Sequence, residues 1–210
     1  MISEIPKGVV KTIIVCNNNS SDQTRQVAFA VGAIVVDEAR RGYGYACLKG
    51  MEYLATSELK PDIVVFLDGD HSDYPEELPN VIDPILTGNA DLVIGSRALG
   101  KKEKGSMTIP QRFGNWLATR LIRLFYGVRF TDLGPFRAIR YESLLALEMK
   151  DKTYGWTVEM QIKAAKMKLK CVEVPVNYRK RIGTSKVSGT LKGVVFAGTK
   201  ILWLVFRYLW

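Results

Sequence analysis

A chain of 210 residues, 47% hydrophobic and 24% charged, is long enough for one α/β domain with a substantial core, and nothing in its composition marks it as fibrous or disordered. Its net charge of +9 is unevenly placed: residues 1–100 carry 8 basic and 14 acidic side chains, whereas residues 101–210 carry 22 and 7. One half suits a cation and the other suits phosphates or an anionic surface, while the lack of an aromatic-interleaved RNA signature or zinc-finger spacing argues against nucleic acid.

In chain order, Thr12–Cys16 reads as a strand that ends in the polar loop Asn17-Asn18-Asn19-Ser20-Ser21-Asp22. Ser21 or Asp22 is placed to cap a helix running to about Val31. Ala33–Val36 is a short strand, and the turn Arg41-Gly42-Tyr43-Gly44 opens a helix through about Ser57. Asp62–Leu67 is a buried strand, and Pro75-Glu76-Glu77 begins a helix with acids at the positive end of its dipole. Asp91–Gly95 is a further strand. Strands alternating with helices predict a largely parallel sheet with ligands at the carboxyl ends of the strands.

The second half is less regular. Lys101–Gly105 is a charged loop, Gln111–Phe125 and Thr157–Met167 are helices, and Lys170–Asn177 is a strand in which Pro175 signals an edge or an end. Val194–Trp210 is apolar but interrupted by Lys200 and Arg207, so it does not read as a membrane span. As a helix it sets Lys200, Trp203, Arg207 and Trp210 near one face. That pattern suits an interfacial helix, with a core or homo-oligomer contact as the other reading. Cys16, Cys47 and Cys171 are scattered and follow no metal spacing, and with a single His they argue against a zinc site. Reduced thiols, and Glu4 and Pro6 where a signal peptide needs apolar residues, predict a cytoplasmic protein, peripheral on the inner face of the cell membrane if the tail binds lipid.

The chemistry concentrates in Phe66-Leu67-Asp68-Gly69-Asp70-His71-Ser72-Asp73. Two carboxylates one residue apart at a strand's carboxyl end raise each other's pKa unless a cation lies against them. A divalent ion with hard oxygen ligands and substrate phosphates is the natural partner; a solvated turn is the plain alternative.

Five segments, VCNNNSSDQT (15–24), RRGYGYA (40–46), FLDGDHSDYPEEL (66–78), TDLGPFRAIR (131–140) and VPVNYRKRIGTSKVSG (174–189), together resemble the family 2 glycosyltransferases, in particular the dolichyl-phosphate mannose and glucose synthase branch. The resemblance implies a GT-A (Rossmann-like) α/β fold over residues 1–190, and the apolar tail adds a C-terminal amphipathic helix over 191–210. It also implies a nucleotide-sugar donor (UDP-glucose-like or GDP-mannose), Mg²⁺ or Mn²⁺, and inverting transfer of a hexose. Polyprenyl phosphate and a small soluble molecule are the two acceptor classes it leaves open.

On this resemblance Asp70 is the main metal ligand, with Ser72 close to the metal, and Asp68 lies by the donor's ribose or phosphate. Asn17, Asn19, Asp22 and Arg97 are donor-binding, and Arg112, Arg137, Arg181, Ser185 and Lys186 hold phosphates or acceptor. Asp132 and Glu159 are candidate site residues with general base as one role, although a phosphate acceptor needs no base. Arg120 and Arg123 read as solvated helix charge.

Two departures stand out. Relatives place a strand ahead of the segment that here starts at Ile5, and Asn17 stands where they usually carry Asp. Without that strand, neighbouring sheet edges are expected to lie unpaired, which keeps a non-catalytic, nucleotide- or partner-binding relative as an alternative.

Overall fold

The computed structural model describes residues 1–183 and 191–209. Among these residues six strands and seven α-helices follow one another as β1 (Ile14–Asn17), α1 (Thr24–Ala30), β2 (Ile34–Asp37), α2 (Tyr43–Thr56), β3 (Ile63–Phe66), α3 (Leu78–Leu86), β4 (Leu92–Ser96), α4 (Ile109–Tyr126), β5 (Arg137–Arg140), α5 (Tyr141–Ala146), α6 (Trp156–Lys166), β6 (Cys171–Pro175) and α7 (Leu191–Arg207). The Pro75 start is a 3-10 turn, Pro75–Glu77, that leads directly into α3.

The strands form a four-stranded sheet in the order β3-β5-β4-β6 and a separate parallel pair, β1-β2. β4 and β6 are parallel, whereas β5 lies antiparallel between β3 and β4. The sheet is therefore mixed, and β3, β4 and β6 point their carboxyl ends the same way. β5 was not visible as a strand in the sequence, because Arg137-Ala138-Ile139-Arg140 has charged residues at both ends. Pro175 closes β6 on the sheet edge, where a missing N–H removes no ladder bond.

Alternation along the strands divides the core into two layers. Val93 of β4, Ala138 of β5 and Ile63 and Val65 of β3 face α3, meeting Leu78, Val81 and Ile85, while Ile5, Val9 and Val10 of the N-terminal segment close that side. Leu92, Ile94, Ile139, Val64 and Phe66 face the opposite way, toward Ala118 and Ile122 of α4, Trp156 and Met160 of α6 and Leu204 and Val205 of α7. β4 is buried at every position, as a strand covered by helices on both faces should be. β1 and β3 each have one strand partner among the described residues, and both remain partly exposed despite apolar sequences.

The tail belongs to this core. Besides Leu204 and Val205, Tyr208 donates to Glu159, Tyr126 donates to the Val205 carbonyl, and Lys200 pairs with Asp151 at 2.9 Å. Its other face leaves Phe196, Trp203, Phe206 and Leu209 exposed. α4 starts two residues before Gln111 through a capping box, in which Thr108 and Gln111 each bond the other's backbone N–H. It stops at Gly127, whose φ of 74° ends the helix without a Cβ penalty.

Candidate active site

The acidic motif leaves the carboxyl end of β3, and the segment after β6 is laced to it. Arg179 N–H donates to the Ser72 carbonyl and Ile182 N–H to the Asp70 carbonyl, both at 2.9 Å, and Tyr178 bridges to Asp73. This lacing brings Arg181 within 3.0 Å of Asp70 Oδ2. The other oxygen, Oδ1, accepts from the Ser72 N–H at 3.0 Å and from the Ser72 hydroxyl. Ser72 is fully buried, so its hydroxyl orients the Asp70 carboxylate. His71 takes φ of 64° and bonds Glu4, which also receives Arg179; the lone histidine thus ties down the loop from outside.

The other carboxyls of the motif are short of partners. Burial, and then Asp70, push the Asp68 pKa up to about 6, against the hydrogen bond from the Tyr43 hydroxyl. Asp73 is 1% exposed, neither of its carboxyl oxygens has a partner, and burial followed by Asp68 raises its pKa to about 8. Burial, with neighbouring carboxylates adding to it, thus disfavours ionisation of both carboxyls, an arrangement that a bound cation would relieve. No group of three His, Cys, Asp or Glu residues among those described is arranged to hold a metal unaided. A cation bound by Asp70 and Asp68 would complete its shell from phosphate oxygens and water, as Mg²⁺ commonly does.

The carboxyl end of β4 supplies Arg97. Its guanidinium donates to both Asp132 oxygens at 2.8 and 2.7 Å, and its backbone N–H adds a third bond at 2.8 Å. Asp132 is 1% exposed, and this bidentate pair fixes the turn before β5 against β4. Arg137, at the start of β5, is fully buried and spends its donors on the carbonyls of Leu133, Gly134 and Thr157. Burial lowers its pKa to about 10. Glu159 is likewise fully buried, accepting from the Lys150 and Asp151 N–H groups and from Tyr208, with Lys163 at 2.9 Å. It braces the loop before α6, and none of these partners belongs to the acidic motif.

On the β1 side, Asn17 donates to Asp37 at 2.8 Å, and its buried side-chain oxygen has no partner. Asn19 adopts φ of 51°, and the Asp22 carboxylate accepts from Thr24 at the start of α1. Asn18, unremarked in the sequence, holds this loop to the next: it donates to the Glu38 and Arg40 carbonyls and accepts from Gly42 N–H. The turn that follows needs its glycines, because a Cβ on Gly44 would run into the Asp151 carbonyl. Tyr43, in the same turn, gives its hydroxyl to Asp68. Arg112 lies on α4, where it lines a separate cleft with Asp132 and with Arg120 and Arg123, the two arginines that read as solvated charge. Ser185 and Lys186 lie outside the described residues.

The model of the family described as Glycosyl transferase family 2 matches residues 7–147. The chain belongs to that family. An uncharacterized glycosyltransferase of Mycobacterium tuberculosis is 34% identical over 94% of this chain and 86% of its own length. A dolichyl-phosphate hexose transferase of Haloferax volcanii is 34% identical over 83% and 73%, and an undecaprenyl-phosphate mannosyltransferase of Micrococcus luteus 33% identical over 63% and 56%. Glucosyl-3-phosphoglycerate synthase from Mycobacterium tuberculosis, crystallised with Mn²⁺, UDP-glucose and phosphoglyceric acid, is 24% identical with a TM-score of 0.74 over 99% of this chain and 73% of its own. That likeness shows the GT-A-like fold. The chain is thus a glycosyltransferase by family, with a GT-A-like fold.

Proposed function

We propose that this glycosyltransferase moves a hexose from a nucleoside-diphosphate sugar to the phosphate of a polyprenyl lipid, with a divalent cation held by Asp70 and Asp68. The observation that carries the reading is the Asp68/Asp70 pair at the carboxyl end of β3, with Arg181 on Asp70 and the buried, unpartnered carboxyl of Asp73 beside it. Mg²⁺ or Mn²⁺ would supply charge stabilisation for the leaving diphosphate, and Mn²⁺ in the crystallised synthase supports the choice of ion class.

In this reading Arg181 rests on Asp70 until donor and cation arrive and then turns to the diphosphate. Ser72 orients Asp70, and Tyr43 orients Asp68. Asn17, Asn19 and Asp22 flank the nucleoside side, with the unpartnered Asn17 oxygen free to accept from it. Arg97, Asp132, Arg137 and Glu159 position the turn and loop around the sugar. The acceptor oxygen attacks the anomeric carbon from the face opposite the diphosphate, the carbon–oxygen bond to the diphosphate breaks, and the nucleoside diphosphate leaves with the electron pair. A phosphate acceptor carries no proton that must be removed, which agrees with Asp132 and Glu159 being tied up in braces.

The lipid acceptor draws support from the two polyprenyl-type relatives and from the exposed aromatic faces of α4 and α7. No helix among the described residues is long and apolar enough to cross a membrane, so contact with lipid would be peripheral. The outer face of α7 is also the natural place for contact with a second copy. Incubation with Mn²⁺, UDP-glucose or GDP-mannose, and either polyprenyl phosphate or phosphoglycerate tests the assignment. The reading expects product on the lipid; product on phosphoglycerate alone would move the acceptor to the soluble class, and no product with any pair would favour a binding-only relative.

A further inference from the structure

The first turn of α2 is supported from outside the helix. Its N-cap residue, Gly42, has no side chain to cap it, yet the N–H groups of the first turn need acceptors. The loop before α6 supplies them: Gly44 N–H donates to the Thr153 carbonyl at 3.2 Å and Tyr45 N–H to the Lys152 carbonyl at 3.0 Å. The approach is close enough that a Cβ on Gly42 would strike the Lys152 carbonyl, and one on Gly44 the Asp151 carbonyl. Tyr43 lies between these two glycines at the first position of the helix, and its hydroxyl bonds Asp68.

The supporting loop is built around one carboxylate. Asp151 Oδ1 accepts from the N–H groups of Thr153 and Gly155, both at 2.9 Å, which folds residues 151–155 into a tight turn. Oδ2 takes no hydrogen bond from the loop and faces the ammonium of Lys200 on α7 at 2.9 Å. The Asp151 side chain is 1% exposed and that of Lys200 32%, so the pair runs from the surface of α7 to a buried charge. Without Lys200 this carboxylate would take up a proton or draw in water, and either would loosen the turn built on it. Leu204, one helical turn further along α7, packs where a Cβ on Gly155 would lie, so the same helix touches both ends of the turn.

We propose that Lys200 and Asp151 are positioning residues for donor binding: they hold the loop that seats the first turn of α2, and with it the Tyr43 hydroxyl on Asp68. This role rests on the reading of Asp68 as a donor-binding residue. Among the described residues neither Lys200 nor Asp151 forms an ion pair or hydrogen bond with the acidic motif, so their effect reaches the donor through α2.

Amide exchange and nucleotide binding, both on the full chain, test it together. In metal-free Lys200→Met the Gly44 and Tyr45 amides should exchange about ten-fold faster relative to the Met51 amide in the middle of α2. Calorimetry with UDP and GDP in Mn²⁺ should show the dissociation constant of the nucleotide that binds rising roughly ten-fold, the low end of what one hydrogen bond to a charged group is worth. Lys200→Arg keeps the charge and should restore both readouts. Tyr43→Phe should weaken nucleotide binding with loop exchange unchanged, and adding Lys200→Met to it should weaken binding no further. Val81→Ala loses stability in the core layer beside α3 and should change neither readout. Unaltered exchange in Lys200→Met, additive losses in the double variant, native affinity in Tyr43→Phe, or the same shifts in Val81→Ala would each overturn the proposal. In any of those events, loss of Mn²⁺-dependent binding in Asp70→Ala would leave the donor reading standing; its persistence there would overturn both.

Discussion

Arg181 holds the second carboxylate of the acidic pair, its Nη1 3.0 Å from Asp70 Oδ2, although 111 residues separate the two in the chain. The contact follows from backbone pairing of the post-β6 segment with the loop after β3. It sets a partly exposed cation against that carboxylate, a contact near the surface rather than in the core.

Asp70→Ala should reduce metal-dependent transfer by about a hundred-fold to a thousand-fold, because the cation loses its main anchor and the leaving group its charge stabilisation. The Asp70–Arg181 pair is partly exposed, so the unfolding midpoint should move little. Steady-state turnover beside a urea titration checks both; undiminished turnover would remove Asp70 from the metal site.

The Arg97–Asp132 pair predicts the opposite balance. Breaking a buried, bidentate ion pair leaves a charge uncompensated, so Asp132→Ala should cost about 3–5 kcal/mol of stability. If Asp132 were also the general base, Asp132→Asn would lower turnover by more than the loss of folded protein explains and would remove the acidic limb of the pH dependence of kcat. Chemical denaturation of both variants, with the pH dependence of kcat, separates brace from base.

Asp73 supplies a pH prediction with a definite sign. Its folded pKa of about 8 lies above the ordinary carboxyl value, so the folded state binds more protons than the unfolded state between roughly pH 4 and 8. That penalty is absent below about pH 4 and grows as pH rises through 8. Metal-free Asp73→Asn should therefore be more stable than the native chain by a few kcal/mol at pH 8, with the difference fading toward pH 4, taking about 1.4 kcal/mol per pKa unit. Thermal melts in chelator across that range measure it; a constant difference would mean that Asp73 does not titrate in this window.

The tail makes a packing prediction. Leu204 is 2% exposed in the core shared by α4, α6 and α7, so Leu204→Ala should destabilise the whole domain by about 2–5 kcal/mol. One cooperative transition should persist in urea. Two transitions would make residues 191–210 an independent appendage.

Much of this architecture was legible beforehand. The apolar runs of β3 and β4 and the proline ending β6 located most of the larger sheet, and the arginine-rich segment after β6 stood out as well, a segment that the structure laces to the loop after β3. What escaped depended on tertiary context. β5 looks polar because Arg137 satisfies its guanidinium with buried carbonyls, a circumstance no local pattern reveals. Asp73 resembles an ordinary turn residue until Tyr178 and the β6 segment close over it. Arg112, Trp116, Arg120 and Arg123 already shared a helical face in the sequence. The missing part was Arg129, which arrives from the loop after α4 to complete the cleft.

The central claim, a cation-assisted diphosphate site at Asp68 and Asp70, is tested most directly by calorimetry with UDP and GDP in the presence and absence of Mn²⁺. The account predicts that one nucleotide binds tightly only with Mn²⁺, and that Asp70→Ala removes the metal-dependent part. Binding of neither nucleotide, or binding indifferent to Mn²⁺ and to Asp70, would contradict it.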